Sequence, residues 1–407
     1  MVEGDIFSQL RALGPIKYIL AMLFFAWLVD YADRVVVTIA LPLIGKDFVL
    51  NHAERGLIVT AFGIAYALFQ LPGGFIADRF GARRTMIVAM SAWTGFTALT
   101  AVAPTFLSLL GIRFLFGISE GAFPSATFKA VSQNTKPEYR MTANSVVLCS
   151  NTMGDALAPM LAAPIIALAG WKFTFLILAI IGVLTVPILA KVIPKVPLVK
   201  NTAAAEPKPT IHGVFRSRTV WLACLCFCGY DFISYGLSAW TPSYLMEVKK
   251  LNIVAAGALT SIPSLLCVIP VILGGVVFDR AGHKRPSMII VPVALLTGLF
   301  LILMVRSSSV AEFITYQSLS AVVRTFSLMT IFGLSLRTLK PEIAGIGNAV
   351  INFGGQIAGA LAPFVMGFLA DRFGYTAAFC FPFVGVVMMI MSVIFLPKTL
   401  DRQLSER

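Results

Sequence analysis

Twelve apolar runs follow one another along the 407 residues, centred near residues 29, 67, 95, 117, 155, 184, 232, 267, 296, 323, 357 and 387. Each is close to the roughly 20 apolar residues that a helix needs to cross a bilayer. Inside lipid a backbone satisfies its own polar groups only as a helix or a closed barrel. Runs of this length therefore predict an all-α polytopic membrane protein with twelve transmembrane helices. Apolar residues make up 58% of the chain and charged residues 13%, with a mean hydropathy of +0.88. A soluble domain has about 45–50% and 25%. The opening stretch holds Glu3, Asp5, Arg11 and Lys17, and the first apolar run is too long for a signal-peptide core, so the first span is expected to stay.

An even number of spans puts both termini on one side. Of the 32 Lys and Arg, 22 then fall in segments on the side of the termini, 7 on the other side, and Arg34, Arg113 and Arg324 lie inside spans. The positive-inside rule makes the terminal side cytoplasmic, as expected for a plasma or inner membrane. This topology accounts for the net charge of +13 better than nucleic-acid binding does, because no soluble domain presents a basic face. The six cysteines sit in apolar runs as buried thiols. Cys224, Cys226 and Cys228, two apart on a helix, point in divergent directions and predict no metal site. Neither a P-loop nor an exposed nucleophile with a base occurs, and His52, His212 and His283 fall in loops, so neither an enzyme nor a cofactor is expected.

The longest polar stretch, Pro194 to Thr219, has prolines, alanines and scattered lysines without helical periodicity, and reads as a cytoplasmic linker. The expected division is an N-terminal bundle over 1–193, a linker over 194–218 and a C-terminal bundle over 219–407. The two bundles repeat each other. Gly73-Gly74-Phe75-Ile76-Ala77-Asp78-Arg79-Phe80-Gly81-Ala82-Arg83-Arg84 returns, 201 residues on, as Gly274-Gly275-Val276-Val277-Phe278-Asp279-Arg280-Ala281-Gly282-His283-Lys284-Arg285. Ala158-Pro159 and Gly170-Trp171 return 204 residues on as Ala362-Pro363 and Gly374-Tyr375. Two parallel repeats place a binding site near mid-membrane between them.

Eight ionisable residues lie within spans: Asp30, Asp33, Arg34, Arg113, Glu120, Asp155, Asp231 and Arg324. At about 2.5–3.5 kcal/mol each at a helix centre, they must face one another, water or a ligand. Tyr31 and Asp30 share a helical face with Arg34, whereas Asp33 points about 100° away. Arg113 and Glu120, seven apart, share a face of the fourth span about 10 Å from each other. Two cavity-facing arginines make an anion clamp, and Glu120 and Asp33 are proton candidates, since a desolvated carboxyl alternates between a protonated and an arginine-paired state. The alternative is a permanent salt bridge, Glu120 with Arg113 or Asp30 with Arg34, that only fixes packing.

The Gly-x-x-x-Asp-Arg-x-Gly-x-Arg-Arg loop after the second span resembles the signature of the major facilitator superfamily, and the resemblance covers nearly the whole chain. It implies two pseudo-symmetric six-helix bundles. Asp78, Arg79, Arg83 and Arg84, with Asp279 and Arg280 in the second copy, read as gating residues that clamp cytoplasmic helix ends; plain topogenic charge is the alternative. Tyr31-Ala32-Asp33-Arg34, Tyr66 before the Leu71-Pro72-Gly73-Gly74 turn, and Gly111-Ile112-Arg113 with Gly117-Ile118-Ser119-Glu120 are similar to the anion:cation symporter branch, which includes sialin and bacterial sugar-acid transporters. Asn151 with Gly154, and Ile351-Asn352-Phe353-Gly354-Gly355, match it less strictly. The resemblance implies proton-coupled uptake of a small organic anion, with Arg34 and Arg113 on its carboxylate, Tyr31, Tyr66, Asn151 and Asn352 around the rest, and Asp33 and Glu120 carrying protons.

The chain departs from that pattern in two places. Glu120 is followed by Gly121-Ala122 before Phe123-Pro124, one residue fewer than the branch usually has, and Asp155, Asp231 and Arg324 have no counterpart in it. Asp155 remains a third proton candidate. The 204 offset puts Arg324 in the place of Glu120, where it would face the cavity and bind a second anionic group, unless Asp231 or Asp155 neutralises it. Tyr235, Trp240 and Tyr244 either line the pocket or anchor the interface. The expected partners are a small organic anion such as a sugar acid or other mono- or dicarboxylate, protons and membrane lipid, with the chain a monomer. A proton-antiport exporter and a non-transporting sensor or lipid-handling protein are the rival readings.

Overall fold

The computed structural model describes residues 14–136, 139–196, 214–270, 287–338 and 341–395. Among these the regular structure is α-helical apart from a short 3-10 turn at Gly14–Ile16: α1 Lys17–Phe48, α2 His52–Phe80, α3 Ala82–Ala101, α4 Phe106–Gly121, α5 Phe123–Asn134, α6 Arg140–Val192, α7 Arg218–Glu247, α8 Ile253–Leu266, α9 Ser287–Arg306, α10 Val310–Thr338, α11 Pro341–Cys380 and α12 Phe383–Ile394. Most of the expected linker, and Asp279 and Arg280 of the second signature copy, lie outside the described residues.

Local sequence sets the helix ends. Asn51 accepts the Glu54 amide at 2.8 Å while Glu54 accepts the Asn51 amide at 2.9 Å, a reciprocal cap that starts α2. Thr105 and Ser108 start α4 in the same way. α2 stops at Gly81, whose φ of 86° suits a residue without Cβ and lets α3 begin at once. The signature segment is thus mostly helix. Pro72-Gly73-Gly74 lies inside α2 rather than in the turn expected from its composition, because the Gly73 face is held flat against Ala122 of α5's approach.

Among the described residues, seven helices are long and apolar enough to cross a membrane by length and composition. Their count falls short of twelve partly because chain reversals are merged within them. At 1.5 Å per residue the 53 residues of α6 would reach about 80 Å, more than twice the hydrocarbon core. The helix breaks at Gly170 (φ 82°, ψ 164°), and α11 breaks at Gly374 (φ 82°, ψ 171°). These are the two glycines that the internal repeat pairs, so both copies reverse at the same place by the same left-handed backbone. Each reversal is pinned by the aromatic residue that follows: Trp171 donates to Asp47 at the end of α1 (2.8 Å), and Tyr375 donates to Glu247 at the end of α7 (2.7 Å).

Large apolar side chains point outward along the spans, among them Phe75, Val88, Leu161 and Leu168. That surface suits lipid and would be an aggregation liability in water. Inward, α1 packs on α6, α2 on α4 and α7 on α11. Two large seams, α2 on α11 and α6 on α8, and a smaller contact of α1 on α7 join the N-terminal helices to the C-terminal ones. Small residues make the first seam close: a Cβ on Gly63 would stand 2.6 Å from that of Ala360, and Gly56 presses on the Pro363 carbonyl.

Candidate functional site

Glycines also bring the charges together. Gly117 and Gly121, four apart on α4, rest on the backbone of α2 at Phe62 and Tyr66, and Gly154 of α6 meets the Tyr31 Cβ, where an added Cβ would stand 2.6 Å away. α1, α2, α4 and α6 are therefore held close enough for Tyr31, Asp33, Arg34, Tyr66, Arg113 and Glu120 to converge in mid-span.

Arg34 is the hub. Its Nε donates to Glu120 Oε2 at 2.8 Å and its terminal nitrogen pairs with Asp30 Oδ2 at 2.7 Å. Its guanidinium also lies 4.2 Å from the Tyr66 ring centroid and 4.9 Å from that of Tyr31, contacts that favour a cation. Glu120 is thus bound by Arg34 and not by its own-helix neighbour Arg113. Pro124 contributes to this position, because it has no N–H to meet the Glu120 carbonyl and α4 ends directly after the acid.

Arg113 is different. It is 0% exposed, it rests against the Phe116 and Phe62 rings at 4.3 and 5.4 Å, and its three guanidinium nitrogens have no acceptor among the described residues. A buried, unaccepted guanidinium is expensive unless an anion joins it. Asp33, 2% exposed, accepts from the Thr97 hydroxyl of α3 and keeps its other oxygen unpaired. Asp30, Asp33 and Glu120 thus face two guanidinium groups, Arg34 and Arg113.

The remaining candidates surround this cluster. Asn151, one turn before Gly154, is half-buried with its Oδ1 unaccompanied. Asp155 accepts from Ser264 of α8 at 2.8 Å, across the α6–α8 seam, and so carries a contact between the halves. Asn352 of α11 donates to Gln70 of α2 at 3.2 Å. Arg324 of α10 stacks 5.2 Å from the Tyr230 ring. Tyr235 donates to Gln356 at 3.0 Å, and Trp240 is fully buried and donates to the Pro363 carbonyl at 2.8 Å, so the latter is a packing residue rather than an interfacial anchor.

The signature residues serve the N-terminal helices. Asp78 pairs with Lys129 of α5 at 2.8 Å, and the Arg83 Nε donates to the Ala190 carbonyl near the end of α6 at 3.0 Å. Arg79 lies over the adjacent Phe80 ring, and Arg84 is exposed.

A second constellation, not singled out from the sequence, closes the opposite end of the bundle. His52 is the first residue of α2 rather than a loop residue. Asp371 of α11 accepts the backbone amides of His52 (2.9 Å) and Ala53 (2.8 Å) and faces His52 Nδ1 at 2.6 Å. Glu247 of α7 faces His52 Nε2 at 3.0 Å, accepts from Tyr375 and pairs with Arg55. A carboxylate on free amides at a helix start also meets the positive end of the helix dipole. The available signal was three acidic or basic span ends, His52-x-x-Arg55, Glu247 and Asp371, that the topology puts on one face.

Curated relatives match along most of the chain. A hexuronate transporter of Bacillus subtilis is 28% identical over 383 residues, 89% of this chain and 90% of its own length. A probable sulfoacetate transporter of Cupriavidus necator is 28% identical over 378 residues, 88% and 87% of the two lengths. Among solved structures, a bacterial homologue of the human lysosomal transporter Spinster, in an inward-facing and unoccupied conformation, superposes with a TM-score of 0.80 at 18% identity, covering 96% of this chain and 98% of that one. The model of the Major Facilitator Superfamily matches residues 23–363, from the span that carries Arg34 to the proline bound by Trp240, and the chain belongs to that superfamily, a multi-pass membrane transporter and not an enzyme.

Proposed function

We propose that the protein takes up a small organic anion, a sugar acid or a related carboxylate, together with protons. The observation that carries this reading is Arg113: a fully buried guanidinium with no acceptor among the described residues, beside an Arg34 already held by two carboxylates. A substrate carboxylate supplies the missing acceptors to Arg113 in the two-pronged geometry that guanidinium favours. Tyr31, Tyr66, Asn151 and Asn352 offer hydroxyl and amide groups to the hydroxyls of a sugar acid. The hexuronate and sulfoacetate transporters named above support an acidic substrate.

Charge counting supports proton coupling. Asp30, Asp33 and Glu120 against Arg34 and Arg113 leave one excess negative charge, which a single proton removes. An arriving monoanion restores the excess, and a second proton removes it again. A low-dielectric site favours the neutral assembly at each stage, so each substrate charge travels with one proton. Glu120 and Asp33 are the acceptors, and Asp155 couples the cycle to the α6–α8 seam. The bundles 1–193 and 219–407 rock about the site, joined by 194–218, with Asp78, Arg79, Arg83, Arg84, Asp279 and Arg280 gating the cytoplasmic end. The termini are cytoplasmic and the membrane is the inner one.

The test is uptake into liposomes of purified protein under an imposed proton gradient, preceded by thermal stabilisation with a panel of sugar acids. A carboxylate that stabilises the wild type and not Arg113→Gln, and whose accumulation collapses with the gradient, is the expected result. Stabilisation by cationic or lipophilic compounds alone, equal in both proteins, would replace the reading with an exporter or a lipid-handling protein.

A further inference from the structure

The C-terminal helices hold a second unaccompanied guanidinium. Arg324 of α10 is 6% exposed, and its Nε and one terminal nitrogen are buried without an acceptor. Among the described residues it rests on the Tyr230 ring, 5.2 Å away. Asp231, the residue after Tyr230 on α7, is buried as well. No ion pair within 4.0 Å joins the two among the described residues, and Asp231 Oδ2 is itself buried without a donor. A pair that existed only to neutralise itself would be in contact, because separation in a low dielectric forfeits the attraction that offsets desolvation.

The position points toward the anion site. Asp231 and Tyr235 share one face of α7, four residues apart. Tyr235 donates to Gln356 of α11, and α7 packs on α1, the helix that carries Arg34. Thr325, next to Arg324, donates to Cys267 of α8 at 3.5 Å, and one turn earlier on α8 Ser264 donates to Asp155. Arg324 thus sits against α7 and the end of α8, the two C-terminal helices that pack on α1 and α6 of the N-terminal half.

We infer that Arg324 is a distal anion subsite: it binds a second acidic group, carboxylate or sulfonate, of a substrate whose first acidic group is on Arg113, and so makes the transporter prefer diacids. This rests on the anion-uptake reading above and adds the substrate class to it. Tyr230, stacked on Arg324, and Tyr235 on the same helix suit the carbon chain and hydroxyls of such a substrate. Asp231 keeps the empty subsite from carrying a bare positive charge.

The experiment compares D-glucarate with D-gluconate, which differ only in a carboxylate against a hydroxymethyl at the far end. Binding to the purified full-length protein is read by thermal stabilisation titrations. The wild type is expected to bind glucarate at least about tenfold more tightly than gluconate, the size of effect that one charge-assisted contact gives. Arg324→Gln brings glucarate down to the gluconate affinity and leaves gluconate within about twofold, which also shows that the variant is folded. Asp231→Asn/Arg324→Gln removes both charges and is expected not to regain the glucarate preference. Three results overturn the inference: no preference in the wild type, equal loss of both acids in Arg324→Gln, or recovery in the double variant, which would make the pair structural. Gluconate binding that depends on Arg113 without a glucarate preference sinks the diacid subsite alone, whereas binding of neither acid sinks the uptake reading with it.

Discussion

At the end of the bundle formed by His52, Glu247 and Asp371 every charged group meets its complement: Asp371 takes two backbone amides and an imidazole nitrogen, and Glu247 takes the other imidazole nitrogen, a phenol and a guanidinium. In mid-span the same residue types are left short. Arg113 and Arg324 bury guanidinium nitrogens without acceptors, and Asp30, Asp33 and Glu120 each keep an oxygen without a donor. Polar groups that are satisfied hold one arrangement in place, whereas groups left short are stable only with something added. The first region is therefore read as a latch between the halves, and the second as a receptor for an anion and protons.

Arg34 is where the comparison is most easily broken, because it belongs to the receptor and yet is paired. Arg34→Ala leaves Asp30 and Glu120 without their cation, and is expected to cost about 3–5 kcal/mol of stability as well as abolishing uptake, measured by thermal unfolding and liposome transport. Arg113→Gln separates the two properties. It removes a guanidinium without a hydrogen-bonded acceptor among the described residues, so unfolding temperature should fall much less than in Arg34→Ala while substrate affinity drops about a hundredfold. A fall in stability like that of Arg34→Ala would place Arg113 among the structural ion pairs.

The latch should give smaller effects of another kind. Asp371→Ala removes the acceptor for the first amides of α2, worth about 1–2 kcal/mol. That amount moves the balance between closed and open states of this end about tenfold without touching the anion site. Alkylation of a cysteine placed at Ser243, which is fully buried in the closed state, should quicken, and substrate affinity should change little. The smallest effect is expected from Thr97→Val, which takes one hydroxyl from Asp33 and is worth about 1 kcal/mol. It should shift the pH dependence of uptake while leaving substrate affinity at saturating proton concentration unchanged.

Much of this was legible in the sequence for reasons that are local. Apolar run length gives the spans, and the 204-residue repeat pairs Gly170 with Gly374, whose backbones then prove alike. The spacing of Tyr31, Arg34, Arg113 and Glu120 along single helices puts each of them on an inward face. Partner choice was not legible. Glu120 pairs with Arg34 because of how α4 is rotated against α1, and that rotation is set by Gly117 and Gly121 lying on α2, a contact between helices that no spacing within α4 encodes. The latch was missed for a related reason: it joins residues 195 and 319 positions apart, and each member alone looks like an ordinary polar helix end. The Leu71-Pro72-Gly73-Gly74 segment misled in the other direction, since composition typical of a turn is here used for close helix packing.

The seam between α2 and α11 has a consequence for the speed of the cycle. Most helix pairs interlock as ridges in grooves, so one can slide past the other only by lifting each side chain over its neighbour. Gly56 and Gly63 on one side and Ala360 and Gly367 on the other leave little to lift. What has to be exchanged there is polar: Thr60 donates to the Ala360 carbonyl at 2.6 Å and Asn352 to Gln70 at 3.2 Å across the same seam. On the proposed uptake reading, the barrier to the stroke then comes from these two hydrogen bonds and from the His52 latch rather than from interlocked side chains.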